Sequence, residues 1–304
     1  MPTPIRQRFS VTTLVRDQVA GLQSLSESVL ITTNDIFSGD RYRQVTLESY
    51  ADDMDSGTYP VEAAWLQAHF GQALKPESAG ILYWDKAGLE DVEDAIDALY
   101  SLGAEAYVFH YIGVTASDVA DQLDIAKHVE ALSERAQFIC MTQDANAINA
   151  VDTTDIGYQA RALTLNRTTC IYHPASVSVV QNGVVSTIDT SAERPDAAVW
   201  GRMGTTDEGA EQFDYKGLSL VQDSNLGGAV HNILRDKGYN WIERIKRSTV
   251  NYIYPGRTCT DREIRIQWGA DWFDINVQTS LANFALRTDL MAFDQDTFVA
   301  VEGI

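Results

Sequence analysis

Between residues 28 and 173 the chain repeats one pattern: a short β-branched or aromatic run, a polar turn, then a segment with apolar residues every three or four positions. The runs are SVLITT, AGILYW, AYVFHYIGV, AQFICMT and TTCIYHP. Between them, VEAAWLQAHF follows Tyr59-Pro60 with Val61, Ala64, Trp65 and Ala68 at helical spacing. In 89–102, Leu89, Val92, Ile96 and Leu99 oppose Glu90, Asp91, Glu93, Asp94 and Asp97. Further helices are predicted over 116–135 and around 155–163. Parallel strands need a crossover of a dozen or more residues, and this spacing supplies one each time. The expected architecture is α/β, with a central mixed, largely parallel sheet flanked by helices. Val45 to Asp53 reads as helix.

Outside this stretch the pattern loosens. VSVVQNGVVSTID places Asn182-Gly183 between two β-branched runs, a strong hairpin signal, so residues 176–190 are expected to form an inserted β-hairpin. RPDAAVWGRM reads as a short helix after Pro195, and EQFDYKGLSLV as a strand. Gly227 and Gly228 mark a turn before a helix with Val230, Ile233 and Leu234. NYIYPG and REIRIQWG read as paired strands, and Trp272 to Leu290 as a long helix. At the other end, Pro2 and Pro4 discourage helix, while Phe9, Val11 and Thr13 alternate in strand fashion. Residues 1–20 are therefore expected to form an extended N-terminal strand arm, and 21–304 the core. An edge strand or frayed terminus is the simpler reading of that arm; a strand added to another copy's sheet is the sharper one.

Composition narrows the function. Lys+Arg 23 against Asp+Glu 43 gives a net charge of -20 in 304 residues, which disfavours direct nucleic-acid binding and docking on anionic membrane. Charge is also uneven. Lys86 is the only Lys or Arg between 85 and 124, whereas Arg235, Lys237, Arg244, Lys246, Arg247, Arg257, Arg262 and Arg265 face only four acids between 235 and 265. Each patch is explicable as a solvated face; together they suggest a bipolar molecule that meets an oppositely charged partner. Cys140, Cys170 and Cys259 are too few and too dispersed for a disulfide framework, which fits a reducing compartment. MPTPIRQRFSVTTLVR lacks the apolar run of a signal peptide, and no apolar stretch is long enough to insert in a bilayer.

Catalytic patterns are sparse. Phosphate-cradling glycine loops, zinc-binding His-Glu-x-x-His and nucleophile-elbow motifs are missing from the sequence. Gly201 and Gly204 make a G-x-x-G that follows a helix, for which tight packing is the better explanation. His69, His110, His128, His173 and His231 include no pair at metal-ligand spacing; His110 and His173 fall in strands, as core histidines do. Cys140 and Cys170 read as small buried hydrophobes, and Trp65 and Trp84 as core. Asp35 and Asp85 each follow an apolar strand, where α/β enzymes place chemistry, although turn and cap roles explain them more simply. No cofactor or metal is expected.

Several stretches taken in order resemble one family. VLITT, RYRQVTLESYADD, TYPVEAAWLQAHFGQALKP (with Phe70, Gln72 and Pro76 in its turn) and AGILYW open the series. RTTCIYHP, the helix with Ala197, Ala198, Gly201 and Arg202, and FDYKGLSLV with Phe213, Lys216 and Gly217 continue it. RSTVNYIY, REIRIQWGADWFDINVQTSLANFAL and FDQDTFVAVEGI complete it. This succession is similar to the tail sheath-like proteins of contractile-tailed bacteriophages. The family's pattern runs on past Glu302-Gly303-Ile304 into a C-terminal arm, which is expected to be absent after residue 304.

The resemblance implies a non-enzymatic structural subunit that polymerises as stacked six-fold rings around a tail tube and contracts to drive the tube through the host envelope. Its implied partners are other copies of itself, the tail tube protein, and baseplate and tail terminator proteins. Its implied place is the virion tail, after assembly in the host cytoplasm. On that reading Ile5, Arg6, Arg8, Phe9, Val11 and Leu14 belong to the inter-subunit arm, and Arg244, Lys246 and Arg247 form a basic contact patch. The competing reading is a soluble α/β enzyme or ligand-binding domain with a site near Asp35, Asp85 and His110.

Overall fold

The computed structural model describes residues 25–181, 184–244 and 249–287. The chain divides into two compact units: residues 25–268, and a second made of 1–24 with 269–304, of which 269–287 are described. Strands in chain order are β1 (Ser28–Thr32), β2 (Tyr42–Thr46), β3 (Ser78–Tyr83), β4 (Val108–Tyr111), β5 (Gln137–Thr142), β6 (Thr168–Tyr172), β7 (Ser176–Gln181), β8 (Val184–Asp189), β9 (Tyr239–Arg244) and β10 (Asn251–Tyr254). Helices are α1 (Tyr50–Asp53), α2 (Pro60–Phe70), α3 (Val92–Ser101), α4 (Val119–Ala131), α5 (Ile156–Ala162), α6 (Pro195–Met203), α7 (Gly228–Asp236) and α8 (Ile264–Arg287).

Eight strands form one sheet in the order β10-β9-β6-β5-β4-β1-β3-β2. The five inner pairings from β9 to β3 are parallel, and the two outermost, β9 with β10 and β3 with β2, are antiparallel. β7 and β8 make a separate antiparallel hairpin, as Asn182-Gly183 predicts.

Every residue of β1, β4, β5 and β6 is buried, because helices cover both faces of a parallel sheet. Alternate residues divide between two layers. Val29, Ile31, Phe109, Phe138, Cys140, Cys170 and Tyr239 meet the buried stripe Val92, Ala95, Ile96 and Leu99 of α3 and the inner sides of α4 and α5. On the other face α2 and α6 lie side by side, and Trp65 of α2 meets His110 of β4 edge-on at 5.1 Å. Trp200 of α6 packs against Tyr107, Phe213 and Trp268.

Four expectations are corrected. Val45 to Asp53 is not one helix: Tyr42–Thr46 pairs with β3, burying Val45, and only Tyr50–Asp53 turns helically after a Thr46–Ser49 turn. Residues 211–221 are not a strand, since Tyr215 and Leu220 adopt positive φ (62° and 61°) and the segment meets β10 only at isolated bridges. REIRIQWG opens α8 rather than pairing with β10; burying Ile264 and Trp268, four residues apart, requires a helix, and Ile266 is left 54% exposed. The partner of β10 is β9, which begins directly after Gly238 at φ 82°. Leu89 also leaves the α3 stripe. The Asp85 carboxylate accepts from Gly88 N at 2.9 Å, closing a turn that puts Leu89 at φ 66°, 91% exposed.

Gly201 sets how closely α2 and α6 approach. A Cβ built there would lie 2.1 Å from the His69 carbonyl oxygen, a backbone atom that cannot swing aside. Gly201→Ala is therefore expected to destabilise the fold by about 1–3 kcal/mol. Gly228→Ala, at the open first turn of α7 with nothing within 4 Å, should be neutral or stabilising by up to about 1 kcal/mol. Urea midpoints at constant slope would check the pair.

Candidate functional site

In an open α/β sheet, ligands bind at the carboxyl ends of the strands where the strand order reverses. Here the chain passes from β1 to β3 on one side and then to β4 on the other, so that point lies between the ends of β1 and β4. The protein's own side chains fill it. Arg194, at the start of α6, donates through Nη2 to the Tyr111 carbonyl at 2.8 Å and through Nη1 to the Ile112 carbonyl at 3.3 Å. The same guanidinium grips Asp196 in two bonds, Nε to Oδ1 at 3.0 Å and Nη2 to Oδ2 at 2.7 Å. Arg194 is 3% exposed and Asp196 fully buried. Beside them Glu62 of α2 accepts from Thr32 Oγ1 at 2.5 Å and from Asn34 Nδ2 at 2.7 Å.

Two histidines underlie this plug. His110 Nδ1 lies 3.4 Å from Asp196 Oδ2, and His69 Nε2 lies 3.2 Å from Ser28 Oγ with its ring stacked on Trp65. Both are fully buried. Burial, aided by the neighbouring His110, pushes His69 down to about 3, and burial likewise lowers His110. For Asp196 burial acts the other way, but the Arg194 charge and the His110 and Arg194 bonds together hold the carboxyl well below its usual range. At neutral pH the plug thus holds one buried ion pair and two neutral imidazoles, with Glu62 Oε2 and His110 Nε2 buried and without a hydrogen-bond partner.

Of the residues in the competing reading, two lie in loops and one in the core. Asp35 Oδ1 accepts from Gly39 N at 2.8 Å and Asp85 caps the turn before α3; both are loop-closing groups, while His110 sits in the core. His173 is bonded to Ser224 at 3.1 Å and Glu193 at 3.0 Å. Among the described residues no group of three His, Cys, Asp or Glu side chains could hold a metal ion. The cysteines are buried free thiols, with Cys140 and Cys170 Sγ atoms 3.5 Å apart.

A second buried network carries no local sequence signal. Lys237 Nζ bonds Asp155 Oδ2 at 2.6 Å and the Asn146 carbonyl at 2.7 Å, while Tyr239 Oη donates to Asp155 Oδ1 at 2.8 Å. Burial, with Asp155 beside it, raises the Tyr239 phenol well above its ordinary value. Lys237 therefore leaves the basic surface patch, and Arg265 is paired with Glu263 at 2.7 Å. Arg235, Arg244 and Arg257 remain exposed, Arg244 reaching only to 3.8 Å from Asp223. Lys246 and Arg247 lie outside the described residues, as do the arm residues Ile5, Arg6, Arg8, Phe9, Val11 and Leu14.

No family model and no curated protein matches the chain. Solved structures do. The contracted sheath of an extracellular contractile injection system, PVC, superposes with TM-score 0.62 at 14% identity, covering 96% of this chain and 79% of that one. The contracted helical sheath of the anti-feeding prophage gives TM-score 0.57 at 14% identity, covering 93% and 77%. The chain has the fold of a contractile sheath subunit. Within that sheath fold, the crevice at the reversal of strand order is packed shut by Arg194, Asp196 and Glu62.

Two outcomes are expected. Asp196→Asn strands a buried guanidinium and should destabilise the protein by about 3–5 kcal/mol in urea unfolding. The histidines set an acid limit. Their folded pKa values lie below the unfolded value of about 6.5, so the stability they contribute is complete above that pH and declines as pH falls below it, for His69 down to about 3. Asp196 adds its own loss only below about pH 4, the unfolded carboxylate range. Between pH 6 and 4.5 stability should drop by up to about 1.4 kcal/mol per pH unit through His69, and His69→Gln should flatten that slope.

Proposed function

We propose that this chain is a non-catalytic structural subunit of a contractile sheath, polymerising as stacked rings around a tail tube. The reading is carried by the sheath fold extending over more than nine-tenths of the chain. The sealed crevice supports it, since the position where this architecture ordinarily takes a ligand is given over to internal bonds. In this role the polymer shortens and drives its tube through a target envelope, in a phage tail that assembles in the host cytoplasm. Its partners are other copies, the tube protein, and the baseplate and terminator proteins that end the tail. Energy for shortening comes from inter-subunit contacts that differ between two lattices, small per contact and summed over many copies.

Residues 4–16 act here as the arm that links copies, and Arg244, Lys246 and Arg247 as a basic contact with an acidic neighbour. Arg244 suits the role, being exposed with only a long contact to Asp223. α3 offers the opposite sign, with Glu93 and Asp94 exposed in its first turn.

Negative-stain electron microscopy of the purified full chain should show rings or hollow tubes; a monodisperse monomer at every concentration would sink the proposal. Deleting residues 1–16 should leave a folded protein that no longer polymerises. Reversing Arg244, Lys246 and Arg247 to Glu should raise the concentration needed for sedimentable assembly at least about tenfold, since a loss of 1.4 kcal/mol per contact suffices.

A further inference from the structure

Leu89 is placed where an isolated subunit gains nothing from it. Its side chain is 91% exposed, the most of any large apolar residue among those described, and its backbone sits at φ 66°. Scattered exposed leucines are ordinary on a protein surface, but a bulky side chain in the left-handed region is an outlier that Gly or Asn would relieve. The loop leaves it no alternative. Asp85 Oδ1 accepts from Gly88 N at 2.9 Å, Leu89 N donates to the Lys86 carbonyl at 3.2 Å, and Glu90 N donates to the Asp85 carbonyl at 3.2 Å. The Glu90 carboxylate accepts from Asp85 N at 2.9 Å and pairs with Arg41, while its carbonyl takes the Trp84 indole N–H at 2.8 Å. The turn thus holds an apolar knob rigidly in solvent, and exposed Asp91, Glu93 and Asp94 follow it at the start of α3.

A surface of complementary character lies at the other margin of the sheet. Arg244, exposed at the end of β9, stands opposite Asn251 of β10. Next to Asn251 in the chain Val250 is exposed, and Tyr215, 58% exposed, is stacked on Tyr252 with ring centroids 5.0 Å apart. The segment carrying Tyr215 is fixed along β10 by bridges from Asp214 to Ile253 and from Leu218 to Asn251. The result is a formed apolar platform with a basic rim. β3 and β9 run in the same direction, so Leu89 and Arg244 both lie at the carboxyl end of the sheet. Five strand spacings separate those two strands, about 24 Å at about 4.8 Å each, which is too far for knob and platform to meet within one subunit.

We infer that Leu89 packs on the Tyr215–Val250 surface of a second copy of this chain, with Asp91, Glu93 and Asp94 facing Arg244. The apolar knob and aromatic platform exclude water from the centre of the contact, and the charges at its rim set the register. Burying Leu89 there offsets the backbone strain that the free subunit carries. Two different patches make the contact, so it is heterologous: copies add side by side into a ring or a helix rather than closing as a pair. This inference rests on the sheath reading, whose Arg244 contact it completes by naming the opposing surface.

Two experiments on the full chain test it. Leu89→Gly removes the knob and relieves the strained φ, so the variant should melt at the same temperature or higher, yet need at least about tenfold more protein to form sedimentable assemblies. Leu89→Asn, which also tolerates that backbone, should behave alike. Second, Glu93→Arg and Arg244→Glu should each weaken assembly, and the two combined on one chain should restore it. Wild-type polymer that persists unchanged in Leu89→Gly overturns the knob and leaves the sheath reading standing. Loss of polymer in both charge variants without restoration in the pair overturns the choice of platform. Concentration-dependent association that Leu89→Gly abolishes, without rings or tubes from the wild type, upholds the contact against the sheath reading. A wild type that stays monomeric removes both.

Discussion

The Arg194–Asp196 pair is the interaction on which the upper layer of the molecule depends. Two charges taken fully out of water are tolerable only if nearly every polar atom finds a partner. Here the guanidinium spends its donors on both Asp196 oxygens and on the two carbonyls that end β4. A single group thereby fixes the first turn of α6 to the central sheet. α2 is then placed from two directions. Gly201 brings α6 against the His69 carbonyl, and Glu62 ties the opposite end of α2 to Thr32 and Asn34 after β1. Neutral His69 and His110 fill the space between helices and strands, where an added proton would have no room for its hydration.

How much of this was legible depends on the range of the forces involved. Runs such as SVLITT and QFICMT, and the acidic-against-apolar division of α3, are local patterns, and the parallel sheet followed from them. The hairpin followed from two residues. β2 and the start of α8 were misread because a few residues of alternation or helical spacing decide nothing until a neighbour buries one face. For β2 that neighbour is β3, and for Ile264 and Trp268 it is the packed interior. The plug was harder still. Arg194-Pro195-Asp196 reads as the polar entry to a helix, and its real partners, the Tyr111 and Ile112 carbonyls, lie more than eighty residues away. Lys237 shows the same limit in reverse, since its charge suggested surface and its bonds to Asp155 and Asn146 hold it inside. The suspected aspartates Asp35 and Asp85 turned out to close loops, the cheaper of the two roles a carboxylate after a strand can take.

A doubly covered sheet does not by itself separate an enzyme from a structural part, because the fold serves both. In this chain the two charges at the reversal of strand order are spent on one another and on the carbonyls at the end of β4, while Glu62 Oε2 and His110 Nε2 stay buried beside them without a hydrogen-bond partner.

The same packing bears on how a polymer of such subunits could change length without coming apart. Contacts between exposed charges, of the kind proposed for Arg244, are weak singly, screened by salt, and able to exchange partners. The buried ion pair and the Gly201 contact bind α2, α6 and the central sheet into one packed core, so that exchange of such contacts at the surface need not disturb the interior.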